Sequence, residues 1–156
     1  VAPDVVTMAK ALGNGVPISA CWAKAEVAAA FQPGDHATTF GGNPLCTAAA
    51  RATLEVMEDE DVPGKARHAG ALLRGALEEL RGVSSVRGAG LLLAVELDGL
   101  DAPQVAGDLL SAGVIVNAVT PTALRLAPSL LISDDEVAEA TRRIGVTLAA
   151  NRAEVD

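Results

Sequence analysis

Pro3-Asp4-Val5-Val6-Thr7-Met8-Ala9-Lys10-Ala11-Leu12-Gly13-Asn14-Gly15-Val16-Pro17-Ile18 is the stretch from which the rest of the chain can be read. The β-branched pair Val5-Val6 reads as strand and leads straight to Lys10, set between two alanines. Gly13, Gly15 and Pro17 then punctuate a turn. Lysine is seldom fully buried without a partner, yet this one follows an interior-like run. The small residues around it leave room for something large and flat. Two readings fit these residues. One is a surface lysine that interrupts an apolar run. The other is an amine in an apolar pocket, where burial disfavours the ammonium and leaves the free amine that imine formation requires.

The totals narrow the field. At 156 residues the chain can build one good core, or one small domain plus part of another. Half of the residues are hydrophobic but only 2% are aromatic, and tyrosine is absent, so Ala, Gly, Leu and Val do the packing. The net charge of −8 speaks against nucleic acid and anionic membrane surfaces, both of which need clustered Lys and Arg. No apolar run approaches the ~18 residues of a bilayer span, and no stretch reads as a charged-then-apolar leader with a cleavage site, so export is not expected. Cys21 and Cys46 form no CxxC and read as small buried hydrophobes in a reducing compartment, so the expected location is cytoplasmic. Val1 falls in mid-pattern, which predicts the C-terminal piece of a longer protein.

Outward from the lysine, Ser19 to Trp22 reads as a second strand and Glu26 to Phe31 as a brief helix ended by Pro33-Gly34. A polar loop, His36-Ala37-Thr38-Thr39-Phe40-Gly41-Gly42, runs into a helix start with Asn43 as N-cap and Pro44 at the first helical position. Leu45, Ala48, Ala49, Ala52 and Val56 carry that helix to about Glu58. Pro63-Gly64 reads as a break and sets the expected domain boundary, giving units 1–62 and 63–156. The second unit reads as small and α+β. Ala66, Ala69, Leu72, Leu73, Ala76, Leu77 and Leu80 mark an amphipathic helix stopped by Gly82. Val86 and Leu91 to Leu97 read as strand with a bend at Gly88 and Gly90. Asp101 caps a helix closed by Gly113, and Val114 to Val116 and Leu124 to Leu126 read as strands. Ser133 with Glu136 makes a capping box for a last helix whose stripe is Val137, Ala140, Ile144 and Leu148.

Three further groups could carry chemistry. Thr38 and Thr39 either cap a turn or, with the amides at Gly41 and Gly42 and the helix start at Asn43, cradle an anion. Arg125, in Leu124-Arg125-Leu126-Ala127-Pro128, points away from its two leucine neighbours. It is either a solvent-facing arginine or a planar fork for a carboxylate. His36 and His68 share no metal-ligand spacing with each other or with the cysteines, so no metal site is expected. Arg87-Gly88-Ala89-Gly90 lacks the third glycine of a dinucleotide fingerprint.

Taken together, PDVVTMAKALGNGVPI, HATTFGGNPL and LRLAP, in that order, resemble the lysine motif, phosphate loop and late substrate-arginine motif of the class III (ω-amino-acid) aminotransferases. The resemblance covers nearly the whole chain. It implies an α/β fold, that of the fold type I pyridoxal-phosphate enzymes. Residues 1–62 would be the C-terminal end of the large, cofactor-binding domain, and 63–156 the small C-terminal α+β domain. It implies pyridoxal 5'-phosphate held as a Schiff base on Lys10, which also moves a proton during transfer. Thr39 would bind the phosphate of the cofactor held by the other subunit of a homodimer, so the active site is shared between subunits. Thr38 would lie beside it, near cofactor and substrate, and Arg125 would clamp a substrate carboxylate. The implied reaction moves an amino group from N-acetylornithine to 2-oxoglutarate. Ornithine, 4-aminobutyrate or succinyl-diaminopimelate are alternative donors, and a non-catalytic remnant is the alternative of another class. Ala37 and Ser19 stand where the family usually has glycine. The family's first phosphate loop, ring-stacking aromatic, first substrate arginine and pyridine-nitrogen acid all precede the lysine, so this chain alone is expected to be a poor catalyst or none.

Overall fold

A computed structural model describes residues 1–153, which divide into two compact units, Val1–Glu60 and a second that begins at Asp61. In the first unit, strands β1 (Val5–Met8) and β2 (Ala20–Ala23) form an antiparallel hairpin in which Val5 faces Ala23 and Met8 faces Ala20. The Lys24 ammonium closes its open end on the Asp4 carboxylate at 2.6 Å. A 3₁₀ turn, Lys10–Gly13, opens the connection between the strands, and a single-turn helix, α1 (Ala25–Ala28), follows β2. That helix is shorter than the expected 26–31, and nothing in it is buried.

Helix α2 (Pro44–Asp59) starts where the sequence places it, because the Asn43 side chain accepts from the Cys46 amide at 3.1 Å and Pro44 needs no donor partner at the first position. The 3₁₀ turn packs against α2. Gly13 fits there because a Cβ on it would meet Ile18 Cγ2 at 2.7 Å. Gly13, Cys46 and Ala50 are the unit's buried residues, while Phe40, Leu45 and Leu54 stay 81%, 73% and 52% exposed. An uncovered apolar surface of this kind favours association. Both cysteines are free thiols. Cys46 is buried as expected but Cys21 is exposed, because its strand has no second layer over it among the described residues of the unit.

The second unit holds almost all of the core. Helix α3 (Val62–Glu78) is capped by Asp61, whose side chain accepts from the Gly64 amide, so the division falls before Asp61. Pro63-Gly64 is therefore inside the first turn of α3 and not the break expected there. Proline is tolerated at that point because the first amides of a helix have no intrahelical acceptor. Strands β3 (Val83–Ala89), β4 (Leu92–Leu97), β5 (Asn117–Ala118) and β6 (Ala123–Leu126) form an antiparallel sheet in the order β3-β4-β6-β5. Helices α4 (Ala102–Ser111) and α5 (Asp134–Ala153) join α3 over the core, where Leu73, Leu77, Leu93, Val95, Val105, Leu109, Leu124 and Leu148 are fully buried.

Strand was expected at 114–116 but forms at Asn117–Ala118. The Val114 amide instead closes α4 on the Leu109 carbonyl at 2.8 Å, and Val114 and Val116 pack on the core as loop residues while Ile115 is 84% exposed. The capping box is present, with the Ser133 amide on Glu136 Oε2 at 2.8 Å and the Glu136 amide on Ser133 Oγ at 3.2 Å. Among the described residues no helix is long and apolar enough to cross a membrane.

On α5, Glu139 receives Arg142 and Arg143, each at 2.7 Å, and Arg143 also donates to the Ala112 carbonyl at the end of α4. The Arg142 hydrogen bond, then that of Arg143, draws the Glu139 carboxyl from its usual 4.5 down to about 2. A depressed carboxyl adds stability that is complete above the unfolded value and lost as pH falls through the folded one. Glu139→Gln is therefore expected to lower the melting temperature slightly at neutral pH. The gap to wild type should close between pH 4.5 and about 2 in a circular-dichroism melt series.

Candidate active site

Lys10 stands just past the end of β1, and its backbone is left-handed, at φ +54°. A non-glycine residue in that region costs energy relative to ordinary conformers and persists where the surroundings require it. The side chain is exposed in this chain, not buried as the apolar sequence around it suggests, because Val5 and Met8 are themselves 47% and 42% exposed. Its amine has no hydrogen bond or ion pair among the described residues, in contrast to Lys24. Two shallow concavities flank it. One, of about 380 Å³, is lined by Ala11, Asn14, Gly15 and Ile18; the other, of about 490 Å³, by Thr7, Ala9, Ser19 and Cys21.

The loop before α2 is built around two side chains. Thr38 Oγ1 accepts from the Gly41 amide at 3.1 Å, which tightens the turn. Asn43 Nδ2 donates to the Phe40 carbonyl at 2.8 Å while Asn43 Oδ1 caps Cys46, so one residue ties the loop to the helix. Gly42 adopts φ +69° to let the chain enter α2. The Thr39 hydroxyl has no partner among the described residues. The structure thus separates the pair, with Thr38 used in the turn and Thr39 exposed beside a helix N-terminus, where backbone N–H groups and the helix dipole favour an anion. Through the packing of the 3₁₀ turn on α2, Lys10 and this loop belong to the same body.

Arg125 lies in the second unit, on β6, exposed between the buried Leu124 and Leu126. Its Nη2 donates to Asn117 Oδ1 at 3.0 Å, across the β5–β6 register that sets the two residues opposite each other. Sequence reading missed Asn117 because it placed the strand at 114–116; pairing back from Arg125 across the Thr120-Pro121-Thr122 turn would have found it. A further concavity of about 610 Å³ lies elsewhere in this unit, lined by residues such as Ile115, Leu131 and Arg143, and contains none of these groups. His36 stacks edge-on against Phe31 at 5.6 Å, and His68 meets Asp134 at 3.2 Å. Among the described residues no cluster of His, Cys, Asp and Glu could hold a metal ion.

The α/β architecture is one that solved aminotransferases share. The family model described as aminotransferase class-III matches residues 1–148, and the chain belongs to that family. It is 48% identical over 149 residues to the acetylornithine aminotransferase of Corynebacterium efficiens, which covers 96% of this chain and 37% of that protein. To the acetylornithine aminotransferase of Bacillus subtilis it is 42% identical over 154 residues, covering 97% of this chain and 40% of that one. The chain therefore spans about two fifths of the length of the curated relatives it matches. Among solved structures, the ornithine aminotransferase of Toxoplasma gondii superposes with a TM-score of 0.88 at 36% identity, over 97% of this chain and 38% of that one. The acetylornithine aminotransferase of Elizabethkingia anophelis superposes at 0.85 and 32% identity, over 96% of this chain and 42% of that one. A second structure of the Toxoplasma enzyme reports partial occupancy of pyridoxal phosphate at its active site.

Proposed function

We propose that this chain is the lysine-bearing and substrate-arginine-bearing portion of a pyridoxal-phosphate aminotransferase that moves an amino group from N-acetylornithine to 2-oxoglutarate. The observation that carries the reading is Lys10: an exposed amine without a partner among the described residues, on a backbone held at φ +54°, between two concavities. Those features fit a flat carbonyl cofactor. Lys10 Nζ would hold it, and the Thr39 hydroxyl, beside the start of α2, would receive the phosphate of the cofactor held by the neighbouring subunit. When bound, pyridoxal phosphate supplies an electron sink for amino-group transfer. The residues of this chain do the rest. Lys10 Nζ takes and returns a proton, Thr38 keeps the loop closed through the Gly41 amide, and Arg125 orients a substrate by its carboxylate.

The donor assignment follows the curated relatives at 42–48% identity, which are acetylornithine aminotransferases, together with TTFGGNPL at 38–45 and GVIVNAVTPTALRLAPSL at 113–130. In this reading residues 1–62 form the end of the large cofactor domain and 63–156 the small C-terminal domain. The working assembly is a cytoplasmic homodimer in which Thr39 serves the neighbouring subunit's cofactor. The family's residues upstream of the lysine would come from polypeptide outside this chain. Steady-state kinetics of the complete enzyme test the reading. Arg125→Ala is expected to raise KM for 2-oxoglutarate by at least about ten-fold, the worth of a charge-assisted hydrogen-bonded pair. An unchanged KM would return Arg125 to the role of a surface side chain. A preference for ornithine over N-acetylornithine in the wild type would reassign the donor.

A further inference from the structure

We propose that Asn117 is a positioning residue for Arg125, fixing the plane of the guanidinium while leaving its charge to a substrate carboxylate. This rests on the reading of Arg125 as a carboxylate-binding group. Asn117 and Arg125 are register partners on β5 and β6, and the bond from Nη2 to Asn117 Oδ1 is 3.0 Å long. A guanidinium carries five N–H donors. The others on Arg125 have no acceptor among the described residues, so Asn117 takes one corner and the remaining edges stay open.

The partner chosen is the informative part. Arg87 gives Nε and Nη2 to Glu96 at 3.2 and 2.9 Å. Arg142 and Arg143 share Glu139, and Arg152 reaches Asp98 at 3.3 Å. Arg74 spends both terminal nitrogens on the Val86 and Gly88 carbonyls and lies 3.8 Å from Glu78. Those pairs neutralise charge or fasten backbone. Arg125 instead meets a neutral amide, which aligns the guanidinium without cancelling its charge. A carboxylate in the same place would compete with the ligand for the same planar donors.

The surroundings agree. The cross-strand row reads Arg87, Ala94, Arg125, Asn117, so the residue beside Arg125 on the β4 side is only an alanine. Leu124 and Leu126 are turned to the opposite, buried face. A long, mobile side chain held this way loses less freedom when its ligand arrives.

The test uses the pyridoxal-phosphate-loaded enzyme with two readouts: KM and kcat for 2-oxoglutarate, and the equilibrium Kd of glutarate, a dicarboxylate that is not turned over. Asn117→Asp keeps the size and the acceptor but adds a negative charge. It is expected to leave the melting temperature intact, hold kcat within about two-fold, and raise both KM and Kd at least about ten-fold. Asn117→Ala, which loses the acceptor but leaves the charge uncancelled, is expected to raise them about three-fold. A role in holding the hairpin together would reverse that order, with alanine the worse substitution, and that order overturns the proposal. So does an aspartate variant that binds glutarate like wild type while Arg125→Ala does not. If Arg125→Ala changes neither KM nor Kd, the carboxylate reading of Arg125 fails and the role of Asn117 fails with it.

Discussion

Replacing Lys10 by alanine is expected to lower turnover of the complete enzyme by at least about 10³-fold, within the range for losing a positioned proton-transfer group. The loss should be in kcat rather than KM, because the substrate's carboxylate contacts lie on other residues. Lysine labelling gives a readout independent of turnover. The chain has three lysines, Lys10, Lys24 and Lys65. Lys24 is held on Asp4 at 2.6 Å, whereas the Lys10 amine is exposed and without a partner among the described residues. Pyridoxal phosphate followed by borohydride should therefore mark Lys10, and mass spectrometry of the Lys10→Ala chain should show the mark gone. Persistent labelling at Lys24 or Lys65 of that variant would move the cofactor lysine elsewhere. Lys10→Gly separates chemistry from folding. Glycine occupies φ +54° without the side-chain penalty of roughly 1 kcal/mol, so this variant should be as inactive as alanine yet no less stable.

The largest stability effect is expected at Gly70, in the middle of α3. In an exposed helix, glycine to alanine gains up to ~1 kcal/mol. Here a Cβ would run into the backbone of Gly90, whose Cα lies 2.9 Å from its position, and a carbonyl cannot rotate aside as a side chain can. The helix would have to withdraw from the β3–β4 turn and loosen its neighbours Ala69 and Leu73, each 2% exposed. Gly70→Ala is therefore expected to cost about 2–3 kcal/mol, the overpacking term exceeding the propensity gain. Gly75, five residues along the same helix, has nothing within 4 Å of its Cβ position. Gly75→Ala should raise stability by up to ~1 kcal/mol. Urea unfolding of the two variants is the measurement, and equal signs would refute the close approach at Gly90.

The contrast between what could and could not be read from sequence has a physical basis. Asn43-Pro44 and Ser133…Glu136 were legible because a cap is local chemistry, complete within four residues. The stripes Ala69, Leu73, Leu77 and Ile144, Leu148 were legible because burial repeats with the helix. Pro63 misled because its meaning depends on whether it sits at the start of a helix or inside one. Val114 to Val116 misled because apolar residues can reach a core from a loop as well as from a strand. Lys10 misled on burial because apolar neighbours in sequence say nothing about whether a second layer covers them. For Thr39 and Arg125 the residues alone left a binding role and a structural one open, since periodicity does not distinguish a binding group from an exposed one, and the proposed roles follow the resemblance. Asn117 stayed hidden behind the misplaced strand.

Two of the bonds of the Asn43 side chain, one to the Phe40 carbonyl and one from the Cys46 amide, have a thermodynamic consequence for the loop that carries Thr39. Freezing a backbone residue costs roughly 1–2 kcal/mol of conformational entropy. With the loop already fastened to α2, that ordering belongs to folding and not to ligand capture. An anion bound at Thr39, as proposed, would meet a seat already ordered, and its binding free energy would go into affinity instead of arranging the chain.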